Sequence, residues 1–511
     1  MQIRNRLSGW LALAVFATVG GAMVAADPAF AKVDVDKLTI GGEVRARYEY
    51  RIGTTFGVSQ ANESAASERV RVNVGYDLTP DVSFFAQLQD ARIWGSEGND
   101  RIGGGTSGLA AVSSQNNNGT GVDLHQGYIQ LKNVLVPGLS LKMGRQEIIF
   151  GDHRLFGNFG WSQIGNAFDG VRATYSTGMA DVDLFWVRVF ESEVSAGCGT
   201  AATATANCTG VIFNGAGTKG TLDQDVYGAY LTLKPVPNWT IEPYYFLLKD
   251  SRAATASTAA AITQAQTLDQ ARSTLGGRIN GKAGGLDATA EGAWQFGGVA
   301  GLGGAAGAPQ QHNLHINAEA AAAKIGYTFE PVPMRPRLGF EVDYASGDNC
   351  VAATTSATTG CNAVNHANTF DNLFPTNHFH YGYMDLMAWR NMVNYQVMFD
   401  VKPSPVSKLQ FNYIIHRLAR TTDNWYRAAQ AIYVSPTATN QEASLGQELD
   451  VHYWHTFKEK FKFEIGYGHF FAGAFLDKAA SVNTTGSPTS TTNAVGNGGQ
   501  DWGYVMGSIL F

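Results

Sequence analysis

The chain offers few residues whose types and spacing could do chemistry. No nucleophile elbow, no H-E-x-x-H and no phosphate loop occurs anywhere in it. His452 and His455 make an H-x-x-H pair, but residues three apart on a strand face opposite sides and cannot share a metal. His366, His378 and His380 fall in one stretch. With no carboxylate or cysteine at ligand spacing, they read as solvated loop histidines. The four cysteines show no C-x-x-C spacing, which argues against zinc. Four cysteines allow three pairings. Cys198–Cys208 and Cys350–Cys361 are the expected disulfides, because each pair shares one loop. The reading is of a protein without catalytic residues, cofactor or metal, and with no nucleic-acid partner.

One stretch does concentrate charge. Gly144 to Arg172 reads GRQEIIFGDHRLFGNFGWSQIGNAFDGVR, a strand, a polar loop and a second strand. Arg145 and Glu147 end the first limb, Asp152 and Arg154 sit in the loop, and Arg172 lies in the second limb. Such a cluster is costly in a closed apolar core and natural beside a water-filled lumen. The loop from Gly151 to Gly165, with Arg154 and Trp161 at its centre, is expected to fold inward and narrow a pore.

The elements that would position this hairpin are strands. In Ile40–Arg51 one parity is apolar (Ile40, Val44, Ala46, Tyr48, Tyr50) and the other charged (Glu43, Arg45, Arg47, Glu49, Arg51). Period-two alternation means one apolar and one wet face. The pattern repeats along the chain. Arg69 and Arg71 alternate with Val70, Val72 and Val74; Glu341 and Asp343 with Phe340, Val342 and Tyr344. About eighteen such segments can be marked. The segment near 181–191 has mixed parity and cannot be oriented. Connections alternate short (79–81, 235–238, 402–407) and long (94–120, 192–222, 346–388). Short periplasmic turns and long outer loops are the expected asymmetry of a bacterial membrane barrel. The reading is all-β: a transmembrane antiparallel β-barrel.

Composition and ends agree. Charged residues are scarce at 16%, and after the leader no apolar run is long enough for a membrane helix. Arg4 and Arg6, an apolar stretch from Leu11 to Ala26, and Ala29-Phe30-Ala31 read as a secretory signal. Residues 1–31 would be removed, leaving a single barrel domain over 32–511. That cleavage makes the net charge one unit more negative than the full chain's −6. The terminal strand ends in Phe511, similar to the targeting signal of outer-membrane barrels.

Inward charge is uneven. Early strands supply Arg45, Arg47, Arg69, Arg71, Arg145 and Arg172; later strands supply Glu341, Asp343, Glu448 and Asp450. An arginine-rich wall facing an acid-rich one is expected, with a field acting on a permeating anion.

The hairpin GRQEIIFGDHRL…FDGVR resembles the alginate export porins of Gram-negative outer membranes. So do Asp343-Tyr344-Ala345-Ser346-Gly347-Asp348, the stretch from Thr369 to His378, Tyr383-Met384-Asp385-Leu386, Asp423-Asn424-Trp425-Tyr426 and Gly446-Gln447-Glu448-Leu449-Asp450. Together they span residues 40–511 in the family's order. The resemblance implies an eighteen-stranded barrel whose arginine-lined constriction passes an anionic polysaccharide. Carried over, Arg145, Arg154 and Arg172 would attract uronate carboxylates, and Asp152, Asp343 and Asp348 would shape the constriction. The expected function is an outer-membrane channel for anionic solutes, among them uronate polysaccharide. Its partners would be outer-membrane lipid, the anion and periplasmic export proteins. A general or small-anion porin and a non-conducting scaffold barrel are the alternatives.

Overall fold

The structure is a computed structural model and describes residues 34–56, 62–94, 122–190, 223–250, 270–303, 310–349, 366–437, 439–482 and 496–511. Cys198, Cys208, Cys350 and Cys361 lie outside the described residues, as does the expected leader. From Thr39 to Phe511 the chain forms one compact unit.

Eighteen antiparallel strands close on themselves. They are β1 (Leu38–Ile52), β2 (Glu63–Thr79), β3 (Val82–Ile93), β4 (Asp123–Leu131), β5 (Leu139–Gln146) and β6 (Phe168–Ser176). Next come β7 (Ala180–Phe190), β8 (Gln224–Val236), β9 (Trp239–Asp250), β10 (Gln270–Ala283), β11 (Leu286–Gly303) and β12 (Gln310–Thr328). The last six are β13 (Arg337–Ala345), β14 (Met392–Ser404), β15 (Ser407–Arg417), β16 (Ser444–Phe457), β17 (Phe461–Ala472) and β18 (Gln500–Leu510). Each pairs with its sequence neighbour, and β18 returns to β1 with Glu43 opposite Leu510 and Ile52 opposite Asp501. Closure leaves no unpaired edge, which the interior of a bilayer requires.

Alternation explains both faces. Ile40, Val44, Tyr48 and Ile52 of β1 are exposed outward, while Arg45, Arg47, Glu49 and Arg51 are buried inward. Exposed aromatics stand at both ends, with Phe329, Phe457, Phe461 and Phe511 at the short-turn end and Trp94, Phe190 and Phe471 at the long-loop end, and others such as Phe340 and Phe399 lie between them. The two end sets are the interfacial girdles of a membrane barrel. The connection between β11 and β12 is only residues 304–309, much shorter than the Gly/Ala-rich sequence suggests. Small residues there extend the strands instead of interrupting them, because every ladder hydrogen bond is made by the backbone. Closure also changes the expected opposition of walls. β16, with Glu448 and Asp450, stands only three strands from β1 and not across from it.

Two loops fill the interior. One joins β5 to β6, over residues 147–167. The other, between β13 and β14, is described from 346 to 349 and from 366 to 391. Within it, His366–Ala367 pairs parallel with His315–Ile316 of β12. A three-stranded sheet of Trp425–Tyr426, Ile432–Pro436 and Ala479–Val482 gathers the later loops.

Candidate functional site

The β5–β6 loop folds inward because its apolar residues have a dry wall to meet. Ile148, Phe150, Leu155, Phe156 and Phe168 are buried in one cluster with Phe185 and Val187 of β7 and Phe246 of β9. Phe150 stacks on Tyr230 at 4.4 Å, and Phe156 lies 4.9 Å from Phe246. This accounts for the mixed parity of β7, whose inward Phe185 and Val187 face the loop and not water. Each such ring contributes about 1.5–3 kcal/mol by leaving water. The path needs unusual backbone at Gly151, His153, Phe159 and Gly165, all at positive φ. Gly165, at φ 78°, lies against Arg71, where a Cβ would crowd the guanidinium.

Polar contacts then fix the loop across the barrel. Arg45 donates to Gln163 Oε1 and to the Gly160 and Ser162 carbonyls, each at 2.8 Å, and to Trp161 O at 3.2 Å. Arg47 donates to Trp161 O at 2.6 Å and pairs with Glu49 at 2.7 Å. Arg69 reaches Ser162 O at 3.0 Å and Glu43 at 2.5 Å. Arg71 donates to Ile164 O at 2.9 Å and to Gln89 at 2.7 Å, and lies 3.5 Å from Glu147. The arginines of β1 and β2 therefore hold the loop's carbonyl oxygens.

The loop's own cation goes to the acidic wall. Arg154 pairs with Glu341, with Asp343 at 2.9 Å, and with the Tyr381 hydroxyl at 2.7 Å. Burial alone would lower its pKa. Tyr381, Asp343 and Glu341 together hold it well above the ordinary arginine value. Asp152 accepts from Arg278 of β10 at 2.5 Å, and Arg278 also pairs with Glu242 at 2.5 Å. The loop thus braces β1, β2, β10 and β13 at once.

The second loop packs on the first. Gly157 N donates to Phe374 O, Thr376 N to His153 O, and Phe159 N to Thr376 Oγ1, at 2.8–2.9 Å. Glu448 and Asp450 accept from the Met384 and Tyr383 amides at 2.9 and 3.3 Å, while Arg51 donates to Met384 O at 2.6 Å. Gly382, at φ 98°, allows this, since any side chain there would strike Glu448. His378 and His380 are buried, against the expectation of solvated histidines. His380 Nε2 donates to Asp152 O at 2.6 Å. Burial, then the neighbouring Arg154, drives its pKa well below the usual imidazole value, so it is neutral. His378 Nδ1 meets Asp385 at 3.0 Å, and its ring stacks on Trp161 at 4.0 Å. Among the described residues no group of three metal-ligating side chains converges.

The structure therefore brings Arg45, Arg47, Arg69, Arg71, Glu147, Asp152, Arg154, Glu341, Asp343, Glu448 and Asp450 onto the two loops. Arg154 is not presented to a solute; two carboxylates and a phenol enclose it. Arg172 points inward beneath Phe150, with its guanidinium 5.1 Å from that ring and Nε 2.7 Å from Asp183. Arg145 is misplaced by the sequence reading. It stands opposite Gly127 and Asp169, on the parity of Leu141 and Met143, whose partner Ile129 is exposed to lipid. It pairs with the exposed Asp169 at 2.7 Å on the outer wall. Asp348 lies apart from the arginines; its amide donates to Asp423 at 2.9 Å. His125 was missed. The register skips it between Gln126 and Leu124, and this bulge turns it inward against Glu147 at 2.9 Å. No residue type signals such a bulge.

A closed eighteen-stranded barrel with an apolar outer wall, terminal aromatic girdles and a charged interior narrowed by loops is an outer-membrane channel of the porin class. Its place is the Gram-negative outer membrane. Its fold is similar to that of OprD from Pseudomonas aeruginosa (TM-score 0.51, 11% identity, 96% of this chain and 97% of that one). It is equally similar to OccAB1 from Acinetobacter baumannii (TM-score 0.52, 10% identity, 95% and 99%). No curated protein sequence matches the chain. The family model described as "Alginate export" matches residues 36–489, and the chain belongs to that family.

Proposed function

We propose that the channel conducts anionic solutes and that the β1–β2 arginines set its selectivity, with no catalytic step. The supporting observation is how Arg45, Arg47, Arg69 and Arg71 are satisfied. All of Arg45's hydrogen bonds go to neutral oxygens, and the loop carbonyls take a share of the other three. Glu49, Glu43 and Glu147 pair with Arg47, Arg69 and Arg71, and among the described residues no carboxylate stands at salt-bridge distance from Arg45, so one guanidinium of the patch keeps its charge unpaired. A positive patch in a confined, low-dielectric lumen raises the local concentration of anions. Guanidinium forks also match carboxylates in two-point geometry. Family membership favours a uronate polysaccharide as the natural anion.

A second reading, passage of small anions, is favoured by the packing. With Phe156, Tyr381 and Trp425 wholly buried inside the barrel, a polymer needs a larger shift of the loops than a small ion does. Liposome swelling tests the proposal. Glucuronate should enter faster than a cationic solute of equal size. The reverse order contradicts it, and no swelling by either favours a non-conducting scaffold.

A further inference from the structure

Trp161 sits in a slot that its own chemistry does not require. The Arg47 guanidinium lies 4.1 Å over its ring. The His378 imidazole lies parallel to it, at 4.0 Å and 12°. Tyr504 meets it edge-on at 4.8 Å, and Trp502 stands 6.0 Å away. The indole is only half-buried, although the rings around it are fully buried. Beside it, the Gly160, Trp161 and Ser162 carbonyls occupy Arg45, Arg47 and Arg69. One short segment therefore offers a flat ring to an aromatic slot and oxygens to adjacent guanidiniums.

A second observation is independent of that stacking. His378 Nε2 and His452 Nε2 are buried and lack a hydrogen-bond partner. The two histidines border one aromatic cage. Trp502 lies 6.0 Å from His378 and 6.1 Å from His452, and Tyr383 lies 5.1 Å and 3.7 Å from them. Buried polar atoms without partners are costly, and a ligand's hydroxyl groups can satisfy them. Flat rings with unmet polar edges suit a sugar, which has C–H faces and hydroxyl edges.

We propose that His378, Arg47, Trp502 and Tyr504 form a subsite for one pyranuronate ring, and that Trp161 occupies it in place of substrate. The sugar ring replaces the indole on His378. Its carboxylate takes over from the loop carbonyls on Arg45 and Arg47, and its hydroxyls reach the two orphan imidazole nitrogens. Trp161 is then a resident competitor, so substrate entry and loop release are one exchange. This rests on the anion-channel reading and adds to it a ring-binding position and a residue that opposes it.

The test is block of single-channel current by a uronate tetramer, with maltotetraose as the neutral probe. Trp161→Ala should tighten uronate block about tenfold, because a competing occupant is gone. Its chloride conductance should change far less, and maltotetraose block should not follow. Adding His378→Ala should abolish the gain. Unchanged uronate block, equal gains for the neutral sugar, or a parallel rise in chloride conductance would each overturn the subsite. Heat-modifiable gel migration reports barrel closure. If Trp161→Ala does not close, Trp161→Leu fills the space without stacking and carries the same expectation. Calorimetric binding of the tetramer to detergent-solubilised protein gives the same comparison without conductance. A cation-selective parent sinks the anion reading and removes the premise of the subsite with it, while an anion-selective parent with unaltered block sinks the subsite alone.

Discussion

Arg154→Ala tests whether the β5–β6 loop is held by the acidic wall. Arg154 is 3% exposed and contacts Glu341, Asp343 and Tyr381, themselves 0–1% exposed. Its loss leaves Lys324, at 3.2 Å from Glu341, as the nearest compensating cation. Breaking a buried pair by removing one partner costs about 3–5 kcal/mol, because a charge is left uncompensated. The barrel's ladders do not depend on this residue, so the cost falls on the loop. At about 1.4 kcal/mol per factor of ten, the loop's detached population should rise by about two to three and a half orders of magnitude. Hydrogen exchange over residues 147–167 should accelerate accordingly, and single-channel records should gain open-state noise. Heat-modifiable migration should persist. Adding Glu341→Gln and Asp343→Asn should restore most of the protection, since the orphaned charges are gone. Unchanged exchange and quiet records in Arg154→Ala would refute the reasoning. Loss of the closed barrel would show that the residue holds the wall and not the loop.

Other outcomes follow from the same geometry. Phe156→Ala should destabilise the loop by about 3–5 kcal/mol through the cavity left among Phe168, Phe246 and Phe374, read as faster exchange at 148–156. Arg145→Ala should leave ion selectivity unchanged, because the side chain is on the outer wall; a shift toward cations would show that it reaches the lumen. Asp348 gives a pH dependence. Burial, then the carboxylate of Asp423, raises its pKa to about 6. Folding therefore takes up a proton between the ordinary carboxylate range and pH 6. This contribution favours the folded loops below that range and is lost as pH rises through 6. Asp348→Asn should raise the melting temperature more at pH 8 than at pH 5, and an equal change at both would contradict the assignment.

Much of this was legible in the sequence, for a physical reason. Each strand contrasts lipid with lumen, so Val44 and Tyr48 against Arg45 and Arg47 reveal orientation directly. The alternation fails where the contrast fails. Phe185 and Val187 face inward onto Phe150 and Phe156, and a dry contact inside the barrel looks like lipid from the sequence. Arg145 is a different error. Counting parity from Leu141 and Met143 places it outward, but its membership of a charged cluster suggested the lumen. The loop's destination left no trace in residue types. The arginines of β1 and β2 are met by main-chain carbonyls of Gly160, Trp161 and Ser162, and any residues in that path would present the same oxygens. The burial of His378 and His380 follows from that path and was equally hidden.

The most direct test of the central claim is the reversal potential of the purified channel in a planar bilayer under a potassium chloride gradient, for the parent and for Arg45→Gln with Arg69→Gln. The account predicts a parent reversal potential displaced toward the chloride equilibrium value, and a displacement toward zero or beyond in the double variant. A parent displaced toward the potassium value, or a double variant identical to the parent, would contradict it.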